Sequence, residues 1–100
     1  MDDAKINKIL SSAINKKIVG FFYEHPGAVD TPEAIALWLN QKEEKVKLAL
    51  DLLAKHNILN LHKIGSTAAY AYTQDKQIIK QIEQALAPAG KGGKNVQPGK

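Results

Sequence analysis

Residues 31–58 read TPEAIALWLNQKEEKVKLALDLLAKHNI, and this stretch decides the fold. It holds two helical patterns. In the first, Ile35, Trp38 and Leu39 recur at i, i+3 and i+4, the spacing of one helix face. Thr31-Pro32 marks its start. A threonine hydroxyl accepts from the free N–H groups of a first turn, and proline at the first helical position has its φ already set. Glu33 adds a favourable charge there. In the second pattern, Val46, Ala49, Leu50 and Leu53 recur at i, i+3, i+4 and i+7, the stripe of a helix buried on one side. Glu43 and Glu44 suit its N-terminus, and Lys55 and His56 its C-terminus. The spacing predicts helices over about 32–39 and from 42 or 43 to 56.

Between them lies only Asn40-Gln41-Lys42. Asn40, and Asn57 at the far end, can take the left-handed backbone that ends a helix. Two helices joined by so short a turn are set at a steep angle, as in a helix-turn-helix. In that motif the second helix often enters the DNA major groove.

Upstream, residues 3–24 are helical in pattern. Ile6, Ile9, Leu10, Ala13 and Ile14 form one stripe, continued by Ile18, Val19, Phe21 and Phe22. Ser11-Ser12 offers an N-cap that would divide the stretch, so one long helix or two are both open. Gly20 lies inside the pattern, where glycine costs about 1 kcal/mol relative to alanine. A close helix crossing would be one reason to keep it. His25-Pro26-Gly27 ends the helix, because proline lacks a donor and restricts the residue before it.

Downstream, residues 58–64 alternate, and Tyr70 and Tyr72 stand two apart on one strand face. Gly65-Ser66-Thr67 between them reads as a short hairpin loop. The tyrosines are expected in the core, and Trp38 as a core or near-core anchor. Thr73 or Asp75 caps a last helix to Ala87, with Ile78, Ile79, Ile82 and Leu86 on one side. The remainder, PAGKGGKNVQPGK, carries one sizeable apolar residue and is expected to be disordered. The domain is therefore placed at 1–87 and the tail at 88–100.

One hundred residues suit one small domain, and 44% apolar content is ordinary for a folded one. Cysteine is absent, which excludes disulfides and thiolate zinc sites. No run reaches the roughly 18 apolar residues of a membrane span. The start, MDDAKINKIL, puts acids first and lacks a long apolar core, so no secretory leader is read and a cytoplasmic protein is the expectation. The net charge of +4 is uneven. Lys91, Lys94 and Lys100 in the tail account for +3, leaving +1 for residues 1–87. All fourteen cations are lysine, a softer reader of guanine than the bidentate arginine fork.

The order helix, helix, helix, two-stranded hairpin, helix resembles the winged helix-turn-helix of bacterial and archaeal regulators. Local residues carry the resemblance. Thr31, Ile35, Ala36 and Leu39 match a pattern T-x-x-x-I-A-x-x-L. Val46, Leu50, Leu53, Ile58 and Leu59 match the following helix and its exit, and Tyr70, Tyr72 and Thr73 match the end of the wing. Asn57 stands where that pattern usually has glycine, and tolerates the same backbone. The fold class expected is mainly α with a small β-hairpin: a three-helix core, a two-stranded wing and a C-terminal helix.

The resemblance implies sequence-specific or semi-specific binding of double-stranded DNA, with the third helix (about 42–56) in the major groove and the wing on the backbone. The residues expected to make contact are Gln41, Lys42, Lys45, Lys47 and Leu48 from the third helix and its lead-in, with Lys63, Ser66 and Thr67 from the wing. Against it, Glu43, Glu44 and Asp51 share the third helix, and phosphate repels carboxylates. A solvated amphipathic helix, or a winged helix that binds protein and not DNA, therefore stays open. A homodimer is expected through the first and last helices, by Ile6, Ile9, Leu10 and Ile14 with Ile78, Ile79, Ile82 and Leu86. The alternative is that these two helices pack on each other in one chain.

His25, His56 and His62 lack close ligand spacing, so no metal is expected. Asp2-Asp3 and Glu43-Glu44 do not make convincing catalytic pairs, and no phosphate loop or nucleophile elbow is present. Neither an enzyme, a cofactor nor a small-molecule ligand is expected.

Overall fold

The computed structural model describes residues 2–87; the tail expected to be disordered, 88–100, lies outside the described residues. Five helices and three short strands follow in the order α1 (Asp3–Leu10), α2 (Ala13–Glu24), β1 (Val29–Asp30), α3 (Pro32–Leu39), α4 (Glu43–Lys55), β2 (Leu59–Ile64), β3 (Thr67–Tyr72), α5 (Lys76–Leu86). The protein is mainly helical, with one small antiparallel sheet.

The N-terminal stretch is two helices. Ser12 caps α2, its Oγ accepting from the Asn15 N–H at 3.4 Å. Asn15 is buried, and its Nδ2 donates to the Ile9 carbonyl at 2.9 Å. That bond closes the break from inside and satisfies a carbonyl at the end of α1, where helix carbonyls have no partner within the helix.

Helices α3 and α4 take the predicted limits. Thr31 Oγ1 accepts from Ala34 N–H at 3.2 Å, with Pro32 in the first turn. Asn40 ends α3 at φ 54°, and Asn57 has φ 63° at the exit of α4. In both positions the short polar side chain tolerates left-handed backbone. Val46, Leu50 and Leu53 of α4 are fully buried, as their spacing requires.

The sheet departs from the two-stranded expectation. Its order is β1-β3-β2, with Val29 opposite Ala71 and Asp30 opposite Tyr70. A two-residue strand has no periodicity to read, and its partner lies some forty residues away in the chain. The hairpin turn is also tighter than Gly-Ser-Thr. Ile64 pairs with Thr67, leaving only Gly65-Ser66 to turn, with Gly65 at φ +65°. Glycine takes that conformation without a Cβ clash.

One core holds the elements together. Phe22 of α2, Ile35 of α3, Leu50 of α4, Leu59 of β2 and Ile82 of α5 are all closed to solvent. Tyr70 and Tyr72 are each 4% exposed, as expected of them. One other expectation fails. Trp38 is 72% exposed, no core anchor. The buried face of α3 is Pro32, Ile35 and Ala36, with Leu39 half-buried, and Trp38 stands beside that stripe. Gly20 is crossed by nothing: a Cβ built there would meet no atom within 4 Å. The surface expected to form a two-fold interface is taken up inside the chain. Helix α1 packs on α5, with Ile6, Ile9, Leu10, Ile78 and Ile82 buried and Ile14, Ile79 and Leu86 packed partly against the core.

Among the described residues, no helix is long and apolar enough to cross a membrane.

Candidate nucleic-acid interface

Helix α4 buries one stripe and turns the rest outward. Lys42, Glu43, Glu44, Lys45, Lys47, Leu48, Asp51 and Lys55 are all exposed, as their positions off the Val46–Leu53 stripe require. Leu48 is the notable one, a leucine 74% exposed in the middle of the helix. Leu52, one turn on, is 39% exposed and was missed by sequence reasoning, although its i+4 spacing from Leu48 is legible.

Seven of the eight expected contact residues fall on two sides of α4, and the eighth, Lys42, sits at its N-terminus. On one side, Lys47 and Glu43 face the hairpin tip. They line a cleft of about 270 Å³ with Ser66, Thr67 and Ala68 of the hairpin and Thr31 at the start of α3. Lys63 pairs directly with Ala68, and cross-strand partners project to the same sheet face, so Lys63 shares this side. On the other side, Gln41, Lys45 and Leu48 line a groove of about 550 Å³ with Leu52 and with Ala13 and Ile14 of α2. Lys42 sits at the N-cap of α4 and makes no side-chain capping bond. Gln41 is half-buried, its Nε2 turned back towards the Leu39 carbonyl at 3.5 Å.

The electrostatics are balanced. Between Glu43 and Lys55, three lysines meet three acids. Lys47 Nζ lies 3.8 Å from Glu43 Oε2, one turn earlier, and both side chains are exposed. Such a pair contributes little, so Lys47 stays free to turn to another anion. Asp51 is engaged from the hairpin side: Tyr70 Oη donates to its Oδ1 at 2.8 Å. Burial first, then this bond and the carboxylate's charge, push the Tyr70 phenol up to about 12. Tyr72 is pushed up to about 12 as well, by burial and then by Tyr23 and Glu83. Both tyrosines are thus neutral throughout the ordinary pH range, and Tyr70 is the one that donates.

Exposed apolar side chains extend beyond α4. Leu37 (83%) and Trp38 stand out from α3, and Leu61 and Ile64 from β2. Leu37 and Trp38 belong to a run of six apolar residues, 34–39, that an eight-residue helix cannot bury all round.

No family model, curated protein or solved structure matches the chain.

Proposed function

We propose that the chain binds double-stranded DNA as a small regulator, through a winged helix-turn-helix in which α3 and α4 are the helix pair and the β2–β3 hairpin is the wing. The observation that carries the reading is the cleft in which Lys47 of α4 lies beside Ser66 and Thr67 of the hairpin tip. A helix seated in the major groove, about 12 Å wide, brings a hairpin on its flank against the sugar-phosphate backbone. In this reading Lys47, Lys63, Ser66 and Thr67 hold phosphate, Lys42 and Lys45 neutralise it near the N-terminus of α4, and Gln41 and Leu48 face bases. An amide reads adenine, and an aliphatic side chain packs on a thymine methyl. The zero net charge of Glu43–Lys55 makes non-specific attraction weak, so base contacts carry more of the affinity.

The test is a fluorescence-anisotropy titration of labelled random-sequence duplex, at low and moderate salt, with the full chain and with a version ending at Ala87. Salt-sensitive binding by both supports a DNA surface on residues 1–87. Binding lost with the tail lysines, or absent at low salt, sinks the reading.

One observation favours a second reading, a module that docks protein without DNA. The groove between α2 and α4 presents Leu48, Leu52, Ala13 and Ile14 with no acid among its lining residues. An amphipathic helix laying an apolar face there, with an acidic flank beside Lys45, is the partner that groove fits.

A further inference from the structure

We infer that two copies of this chain pair through the outer face of α2, in antiparallel register centred between Gly20 and Phe21, with Trp38 of each copy closing the edge. Nothing in this interface depends on α4 touching DNA.

Helix α2 presents one uncovered stripe. Ala13, Lys17, Gly20 and Glu24 follow at i, i+4, i+7 and i+11, and Lys16 adjoins them. At its centre Lys17, Gly20, Phe21 and Glu24 form a shallow groove of about 310 Å³ against Leu39 of α3. Gly20 has no internal reason to be there. It lies mid-helix, where glycine is among the worst residues for stability, and the space above it is open. A helical glycine with a vacant Cβ position admits the close approach of another backbone or a ring.

Phe21 supplies the ring. It is half-buried, edge-on to Phe22 with centroids 5.2 Å apart, and tilted against Trp38 at 6.5 Å. Trp38, the chain's single tryptophan, leaves 72% of its surface in water. Tryptophan and phenylalanine are enriched at docking surfaces relative to the rest of a protein's surface.

The occupant follows from the charges. Lys16 and Lys17 lie on one side of Gly20, and Glu24 on the other. An antiparallel crossing centred between Gly20 and Phe21 sets Gly20 opposite Phe21 of the second copy, and Lys17 opposite its Glu24. The two-fold axis repeats both contacts, as an isologous interface requires. A parallel crossing would set lysine against lysine and glutamate against glutamate, so the face selects its own antiparallel copy. The exposed Trp38 lies to the Phe21 side and covers the rim.

The experiment is sedimentation velocity of the full chain over a wide concentration range, with Trp38 emission followed in parallel. A dimer whose formation blue-shifts and protects Trp38 is expected. Gly20→Gln fills the notch with a good helix former; it should keep or raise the melting temperature while weakening dimerisation at least about tenfold. Lys17→Glu alone and Glu24→Lys alone should each weaken it by a similar factor, and the two together should restore it. A chain that stays monomeric at all concentrations overturns the inference. So does a dimer whose association neither Gly20→Gln nor the charge exchange alters.

Discussion

The Tyr70 hydroxyl of β3 donates a 2.8 Å hydrogen bond to the Asp51 carboxylate of α4, and so ties the hairpin to the outward-facing helix. The bond spans nineteen residues of sequence and fixes the middle of β3 relative to the outer face of α4. It also occupies one of the three carboxylates that would otherwise repel phosphate along α4.

Removing that bond should cost stability without unfolding the chain. Tyr70→Phe keeps the buried ring and loses the hydroxyl. A hydrogen bond to a charged group contributes about 1.5–3 kcal/mol, and the exposure of Asp51 places the expected loss at the low end. Urea denaturation of the two proteins measures it. An unchanged midpoint would show that the bond carries no weight.

The same residue gives a pH dependence. The phenols of Tyr70 and Tyr72 are raised in the folded chain to about 12, from an ordinary value near 10. Their contribution is fully present below pH 10, where folded and unfolded forms are both protonated. Between pH 10 and 12 the unfolded chain releases those protons first, so stability falls by up to about 1.4 kcal/mol per pH unit for each tyrosine. Tyr70→Phe should make that fall shallower by one group. Thermal melts from pH 8 to 12 check the slope, and a flat profile would refute it.

The junction of α1 and α2 rests on Asn15. Asn15→Ala removes the 2.9 Å bond to the Ile9 carbonyl in a buried place and leaves it the longer 3.4 Å bond from the Ser12 N–H, a loss of about 1–3 kcal/mol. Asn15→Asp should be worse, because it loses the same donor and also holds a buried carboxylate against the carbonyl oxygen. Denaturation of both variants should rank them in that order, and the reverse order would discard this account of the break.

The two asparagines of positive φ predict opposite outcomes for two small residues. At Asn57, φ 63°, alanine meets the left-handed Cβ clash and should cost about 1–2 kcal/mol, while glycine should be close to neutral. The same pair of variants at Asn40, φ 54°, should behave alike. Equal melting temperatures for Asn57→Ala and Asn57→Gly would contradict the backbone conformation itself.

For DNA, Lys45→Ala with Lys47→Ala should lower the magnitude of the salt slope by about 2, since each phosphate contact contributes close to one counterion. The two lysines face opposite flanks of α4, so a drop of only 1 would identify the flank that faces DNA, and each single variant would name it. An unchanged slope removes α4 from the interface.

Much of this was legible because its causes are local. The caps at Ser12, Thr31 and Asp75 act within three residues of themselves, and each of these side chains accepts a first-turn backbone N–H; the sequence offered Ser11 beside Ser12 and Thr73 beside Asp75 without choosing. Val46, Leu50 and Leu53 advertise their burial by period alone. Strand β1 was not legible, because its two residues become a strand only by meeting Ala71 and Tyr70. Of the expected contact residues, all those on α4 are exposed, but their division into two flanks depends on where the hairpin and α2 lie.

The sequence by itself determined the limits of α3 and α4 to within a residue, which stripe of α4 is buried, and that the tyrosines of β3 point inward. Those outcomes follow from periodicity and from the hydrogen-bonding reach of single side chains. Only the tertiary structure decided which apolar residues the core has no room for. Ile6 of α1 and Ile82 of α5 are covered where those helices pack, while Trp38 and Leu48, apolar too, are left in water. Hydropathy is a property of each residue. Burial is a competition among all of them for one small interior, and five helices packed around a short sheet settle it.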